Sequence, residues 1–313
     1  MTSAELPQRL DRDAFEALRD QAAADLDVDP RLVEKDYWAT QVLRVATAPT
    51  DGGLAVFKGG TSLSKAFRII ERFSEDVDLL LVTGDMGNAL KRRLRAVADR
   101  VTDELGLKQT REVEGRGFLN ARFAYTVDQQ TAFLTRGVLL EIGSRGGPDP
   151  NEQRDIMSLM GDAAERAEPG SSADYSDLAP FTVTALSPER TLAEKLAFLH
   201  HRSSIDDEDM LRRHARHLYD VAMLLRHDET LTALHPGRMA ELMVDVDGRS
   251  EAAGWGFTPR PRGGFADSPA FTGAGPADAA LRAGYASISD LVWGQMPTYD
   301  EAIEIIKSQA VRI

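Results

Sequence analysis

From Arg12 to Ala46 apolar residues recur at helical spacing, at Phe15, Leu18, Ala22, Leu26, Leu32 and Val33 and again at Tyr37, Trp38 and Val42. Asp27-Val28-Asp29-Pro30 interrupts the pattern, which therefore predicts two helices. Leu54-Ala55-Val56-Phe57 predicts a short buried strand that runs into Lys58-Gly59-Gly60-Thr61-Ser62, a glycine turn. Leu63, Ala66, Phe67 and Ile70 then return to helical spacing. Asp76 to Val82 predicts a second strand in which carboxylates alternate with apolar residues, so that Asp76 and Asp78 share a face. A basic amphipathic helix is expected from Asn88 to Leu105, and further strands of the same sheet at Asn120 to Val127 and Val138 to Ile142.

Glycine, proline, serine and aspartate then cluster, as in Glu168-Pro169-Gly170-Ser171-Ser172, and replace any periodic pattern. The expected organisation is an α/β domain over residues 1–147, a linker with one short helix over 148–187, and a helical domain over 188–313. Within the last, helices are predicted at Arg190 to His201, Asp207 to Arg226, Leu231 to Val246 and Ala279 to Trp293. A glycine- and proline-rich loop is expected from Gly248 to Asp278, and Thr298-Tyr299-Asp300-Glu301 forms a capping box for a last helix. No internal repeat is visible.

Composition narrows the chemistry. The 313 residues are 42% hydrophobic and 28% charged, values of a soluble globular protein. The absence of cysteine excludes disulfides, thiolate zinc sites, iron–sulfur clusters and cysteine nucleophiles. Met1 to Pro7 lacks the basic start and apolar core of a signal peptide, and no stretch is long and apolar enough for a membrane span, so a cytoplasmic protein without membrane contact is expected. A net charge of −13 argues against a generally basic nucleic-acid coat, yet residues 84–125 hold nine Lys or Arg against six Asp or Glu. A phosphate-rich ligand would bind there locally.

The chemistry concentrates where Lys58-Gly59-Gly60-Thr61-Ser62 is followed by Asp76-Val77-Asp78. Two glycines at the mouth of a strand let backbone N–H groups approach phosphate oxygens, and two carboxylates spaced i, i+2 can hold divalent ions that bridge a nucleotide's phosphates and an attacking hydroxyl. Glu141, an acid within the apolar run Val138 to Ile142, is the candidate third carboxylate, because a buried acid needs a positive partner. Taken singly, a Gly-Gly turn is usually only a turn and Asp-x-Asp a surface pattern; it is their order along the chain that points to a site. The P-loop pattern is absent.

These residues resemble the AbiEii/AbiGii type nucleotidyltransferase toxins, which include the mycobacterial MenT toxins and belong to the polymerase-beta-like superfamily. The resemblance is carried by Glu34-Lys35-Asp36-Tyr37-Trp38, by Phe57 to Lys65, by Arg72-Phe73-Ser74-Glu75-Asp76-Val77-Asp78-Leu79, by Thr191 to Leu196 and by His217-Leu218-Tyr219-Asp220. It implies a polymerase-beta-like α/β lobe with a mixed sheet followed by an all-α C-terminal lobe. It further implies transfer of a nucleoside monophosphate from an NTP to an acceptor, with Mg²⁺ or Mn²⁺ as cofactor. In that pattern Asp76 and Asp78 are metal ligands, Ser62 with the amides of Gly59, Gly60 and Thr61 is a phosphate clasp, and Lys58 neutralises charge. Lys195 and Asp220 are site residues from the helical domain, Lys195 suited to phosphate and Asp220 to orienting Lys195 or binding base or ribose; without the resemblance both would be taken as an interhelix ion pair. The family turn is commonly Gly-Ser, whereas Gly59-Gly60-Thr61 precedes Ser62 here, so either hydroxyl is a candidate.

The resemblance also implies a toxin of a type IV-like toxin–antitoxin or phage-defence pair, with a cognate antitoxin as partner. The expected acceptor is an RNA, the tRNA 3′ end, whose modification blocks translation; a protein hydroxyl is the alternative acceptor, and a non-catalytic nucleotide-binding regulator the second alternative. Two basic stripes are candidates for RNA phosphates: Lys91, Arg92, Arg93 and Arg95 on one helix, and Arg212, Arg213 and Arg216 with His214 and His217 on another. Phosphorylation of Ser74, two residues before Asp76, would repel an incoming triphosphate, although a capping serine explains it as well. His214, His217 and His227-Asp228 bring an HD-type phosphohydrolase to mind, but the further distant ligands such a site needs are not evident.

Overall fold

The computed structural model describes residues 11–50, 53–74, 76–125 and 135–313. The predicted helix pair is present as α1 (Arg12–Leu26) and α2 (Pro30–Thr47). Asp27 closes the first in the left-handed region, while the Asp29 side chain caps the second with Pro30 in its first turn. β1 (Leu54–Lys58) leads directly into α3 (Gly59–Lys65), β2 (Asp76–Val82) follows, and α4 (Gly87–Leu105) is the expected basic helix. Helix α3 stops five residues short of Ile70, and the chain turns at Arg68, whose φ is 55°.

β3 (Lys108–Gly115), which the sequence pattern did not announce, precedes β4 (Phe118–Ala124) and β5 (Val138–Gly143). The expected strand end at Val127 lies outside the described residues. The 148–187 linker is corrected: the segment holds β6 (Asn151–Ile156), α5 (Leu159–Ala167) and β7 (Phe181–Leu186), and both strands join the main sheet. The sheet therefore has seven strands in the order β3-β4-β5-β2-β1-β7-β6 and is mixed, with β2–β5 and β1–β7 parallel and β1–β2, β3–β4 and β4–β5 antiparallel. The α/β lobe does not end near Gly147, because most of Asn151 to Ala185 is needed to complete and cover it.

Two compact units result. The first contains residues up to Phe67, Phe73–Arg145 and Asn151–Ala185. On one face of its sheet Phe57, Val77, Leu79, Leu81, Leu119, Phe123, Leu140 and Ile142 pack with Val42 and Leu43 of α2 and Leu94 and Val101 of α4. Period-two alternation then forces Lys58, Asp76, Asp78, Asn120 and Glu141 onto the opposite face.

The second unit takes in Arg68–Arg72, Gly146–Pro150 and Leu186–Ile313. It is built of α6 (Pro188–Ser204), α7 (Glu208–Arg213), α8 (Arg216–Leu224), α9 (Asp228–Ala233), α10 (Arg238–Ala253), α11 (Gly275–Tyr285) and α12 (Tyr299–Ser308). Leu192, Leu196, Leu199, Leu218, Leu224, Leu281 and Ile306 are buried in it. The single helix expected from Asp207 to Arg226 is two, broken at His214–Ala215. The glycine-rich loop is shorter than expected and contains two 3₁₀ turns, and Ala286 to Leu291 forms a third. The capping box at Thr298 is present, with Thr298 and Glu301 bonded reciprocally.

Candidate functional site

Register assembles the site. Asp78 of β2 is paired with Lys58 on β1 and Glu141 on β5, and Glu141 with Asn120 on β4. Neighbouring strands lie about 4.8 Å apart, so four polar side chains, Lys58, Asp78, Glu141 and Asn120, form one row across the sheet. They line a cleft of about 190 Å³ with Leu80, Phe118, Gly143 and Arg145. Asp76 projects from the same face one pleat earlier.

Gly59 is required by its surroundings. Its φ is +79°, and a Cβ there would lie 2.1 Å from Asp78 Oδ2, so only glycine lets the carboxylate come this close to the turn. The neighbouring hydroxyls face inward. Thr61 Oγ1 donates to the Asp76 carbonyl, Ser62 Oγ donates to the Gly59 carbonyl at 2.9 Å, and Ser62 is fully buried. In this conformation both hydroxyls fasten the turn, each donating to a backbone carbonyl. Lys65 is held at 2.5 Å by Asp36, whose other oxygen accepts from the Leu159 N–H at 2.8 Å. The Glu34-Lys35-Asp36 motif thereby pins α3 and the start of α5.

Glu141 is the electrostatic centre of the cleft. Burial raises its carboxyl to about 7, reinforced by the charge of Asp78, with which it shares a hydrogen bond, and by Asp76. Asn120 works in the other direction, donating to Glu141 Oε1 at 2.7 Å. Asn120 was missed from the sequence, since its only signal is its register with Glu141. Among the described residues no three His, Asp or Glu side chains are already gathered into a metal cage. The donors nonetheless suit a divalent cation: burial and then the charges of Asp78 and Asp76 disfavour the Glu141 anion, and a hard cation would offset both.

In the second unit Asp220 is completely buried, accepting from Arg72 at 2.7 and 2.8 Å and pairing with Lys195 Nζ at 2.8 Å. Burial favours the neutral acid, but Arg72 and then Lys195 outweigh it and hold the carboxyl well below its ordinary range. Lys195 is buried as well, its ammonium lowered by desolvation against the pull of Asp220, and it lies 3.1 Å from His217 Nδ1. Of the two roles expected of Asp220, its contacts match the orienting of Lys195, which it shares with Arg72. Arg72 had no assigned role in the sequence reading.

The second basic stripe is also corrected. The break at His214–Ala215 separates Arg212 and Arg213 from Arg216, and both histidines pack edge-on against Phe198. Burial lowers His214 to about 4 and His217 well below its usual value, so neither is a cation for phosphate. Arg212 and Arg213 are exposed. On α4, Arg92 is exposed, whereas Arg93 is tied to Asp85 and Arg95 to Glu114. His227 caps α9 by accepting from the Thr230 N–H, which accounts for His227-Asp228 without an HD site. Ser74 is half-buried between α3 and β2.

Comparison with known proteins bears on this arrangement. The family described as nucleotidyl transferase AbiEii toxin, type IV TA system, matches residues 41–304. No curated protein matches. Among solved structures, MenT4, a nucleotidyltransferase toxin from Mycobacterium tuberculosis, is similar at 17% identity and a TM-score of 0.51, with 94% of each chain covered. JHP933 from Helicobacter pylori is similar at 16% identity and a TM-score of 0.44, covering 90% of this chain and 91% of that one. No helix among the described residues is long and apolar enough to cross a membrane.

Proposed function

Since this chain belongs to the AbiEii family of nucleotidyltransferase toxins of type IV toxin–antitoxin systems, we propose that it transfers a nucleoside monophosphate from an NTP to an RNA acceptor, the 3′ end of a tRNA, and so blocks translation until a cognate antitoxin restrains it. The observation that carries the chemistry is the register of Asp78 with Glu141 and Lys58, closed on one side by Gly59. The acceptor hydroxyl oxygen forms a bond to the α-phosphorus, the bond from that phosphorus to the bridging oxygen breaks, and pyrophosphate leaves. Glu141, with a carboxyl raised to about 7, takes up the hydroxyl proton. Lys58 offsets negative charge at the phosphates. Asp76 and Asp78 are the oxygen ligands for Mg²⁺ or Mn²⁺, which when bound supplies charge neutralisation at the triphosphate. Exposed Arg92 on α4 is the first candidate for an RNA phosphate. Incubation with each labelled NTP, Mg²⁺, total tRNA and cell protein tests the reading: label on tRNA, lost in Asp76→Ala, supports it. Label on protein moves the acceptor, and no label on either refutes the transferase.

A further inference from the structure

The polar row occupies only one end of the cleft. Two residues further along β2 and β5 the same face carries Leu80, Gly143 and Phe118, placed side by side because Gly143 pairs with Leu80 on β2 and with Phe118 on β4. Phe118 is 38% exposed, whereas Phe57 and Phe123 of the same sheet are fully buried on its other face. Phe118 also pairs with Gly115 on β3, where a Cβ would lie 2.1 Å from the ring edge, so the ring leans over that glycine. An aromatic ring covering a cross-strand glycine stabilises a sheet, and this accounts for Gly115.

It does not account for Gly143. A Cβ added there meets nothing within 4 Å, so neither packing nor backbone strain forbids a side chain. Its absence leaves an open, bare backbone floor on β5 between Leu80 on β2 and Phe118 on β4. Stacked aromatic rings lie with centroids about 4.5–7 Å apart, and the open floor above Gly143 begins one strand spacing, about 4.8 Å, from Phe118. This floor belongs to the same cleft as Asp78 and Glu141, with Arg145 on its border.

We propose that Phe118 is a stacking platform for a nucleobase and that Gly143 leaves the floor bare to admit it. This deepens the proposed function and rests on it, because the base belongs to one of the two substrates, the incoming NTP or the terminal nucleotide of the acceptor. Both present the same π face, and kinetics tell them apart.

The test uses the full-length protein and its Phe118→Leu, Phe118→Tyr and Gly143→Val variants. Binding of each NTP and of inorganic tripolyphosphate is measured with Mg²⁺, together with KM for NTP and for RNA. Leucine keeps an apolar cover over Gly115 but removes the π face, and tyrosine restores it. Loss of one stacked base corresponds to roughly 5- to 150-fold weaker binding. If the NTP base stacks, Phe118→Leu and Gly143→Val weaken NTP by that factor, leave tripolyphosphate unchanged, and Phe118→Tyr stays near wild type. If the acceptor base stacks, the same factor falls on KM for RNA and NTP binding is unmoved. The proposal is overturned if neither substrate is affected, or if tripolyphosphate weakens in parallel. Failure of the unmodified protein to bind any NTP would instead strike the proposed function itself.

Discussion

Replacing Asp220 by alanine tests how the helical unit is held together. The carboxylate is fully buried and joins Arg72, at 2.7 and 2.8 Å, to Lys195, at 2.8 Å. Removing it strands two cations in a dry interior, and breaking a buried pair in this way costs about 3–5 kcal/mol. At about 2–4 °C per kcal/mol for a domain of 150–250 residues, the thermal midpoint should fall by about 6–20 °C. Lys195→Met is the counterpart. It removes one cation, keeps the bidentate Arg72–Asp220 pair, and relieves a desolvation that already lowers the Lys195 ammonium. Asp220 thus keeps a paired cation and no charge is left buried alone, so the midpoint should fall by less than in Asp220→Ala. The pH dependence has a definite sign: the folded Asp220 value is depressed, so its stabilisation is present above the unfolded value near about 3.9 and is lost as pH falls through the lower folded value. Thermal unfolding of the three proteins at pH 7 decides the matter. An Asp220→Ala midpoint equal to wild type would refute the argument that this anion holds the cluster.

Glu141 predicts the opposite pH behaviour. Its folded value, about 7, lies above the ordinary 4.5, so in EDTA the wild-type midpoint should decline relative to Glu141→Gln as pH rises from 4.5 to 7 and then level off; parallel curves would contradict this. Gly59→Ala places a methyl 2.1 Å from Asp78 Oδ2 at a φ of +79°, a backbone penalty of about 1–2 kcal/mol before the carboxylate is displaced. Its labelled-NTP transfer should fall at least about tenfold, since about 1.4 kcal/mol is a factor of ten, and full activity would remove the claim that Asp78 needs this approach. Arg92→Glu should raise KM for RNA and flatten its salt dependence by about one phosphate contact while leaving KM for NTP alone. Equal losses toward both substrates would exclude the division between α4 and the cleft.

What the sequence disclosed of this fold follows from where each element packs. β1, β2 and β5 were legible because interior strands carry apolar residues against α2 and α4. β3 and β6 were not, because they are the two edges of the sheet: Lys-Gln-Thr-Arg-Glu-Val-Glu-Gly is largely exposed and Asn-Glu-Gln-Arg-Asp-Ile mostly half-buried, and both are polar and owe their conformation to a neighbour's hydrogen bonds. β7 does alternate, but it sits among the Pro and Ser clusters that suggested a linker, so the α/β lobe looked complete at Gly147.

The break at His214–Ala215 was invisible for a related reason, since helical spacing continues through it while His214 and His217 turn onto Phe198.

The site divides along the same line. Asp76 and Asp78 share a face by the period of their own strand, which a sequence displays. Which way the Ser62 hydroxyl turns, and that Asn120 meets Glu141, depend on partners distant in the chain. Glu141 shows how tightly such dependence binds chemistry to fold. Its neighbours Leu140 and Ile142 are buried in the core, and a slip of one residue between β2 and β5 would send it into that core and bring them out beside Asp78. The register that buries two aliphatic side chains is thus the one that sets the third carboxylate beside the second, so a sequence able to form this core cannot easily misplace its acid.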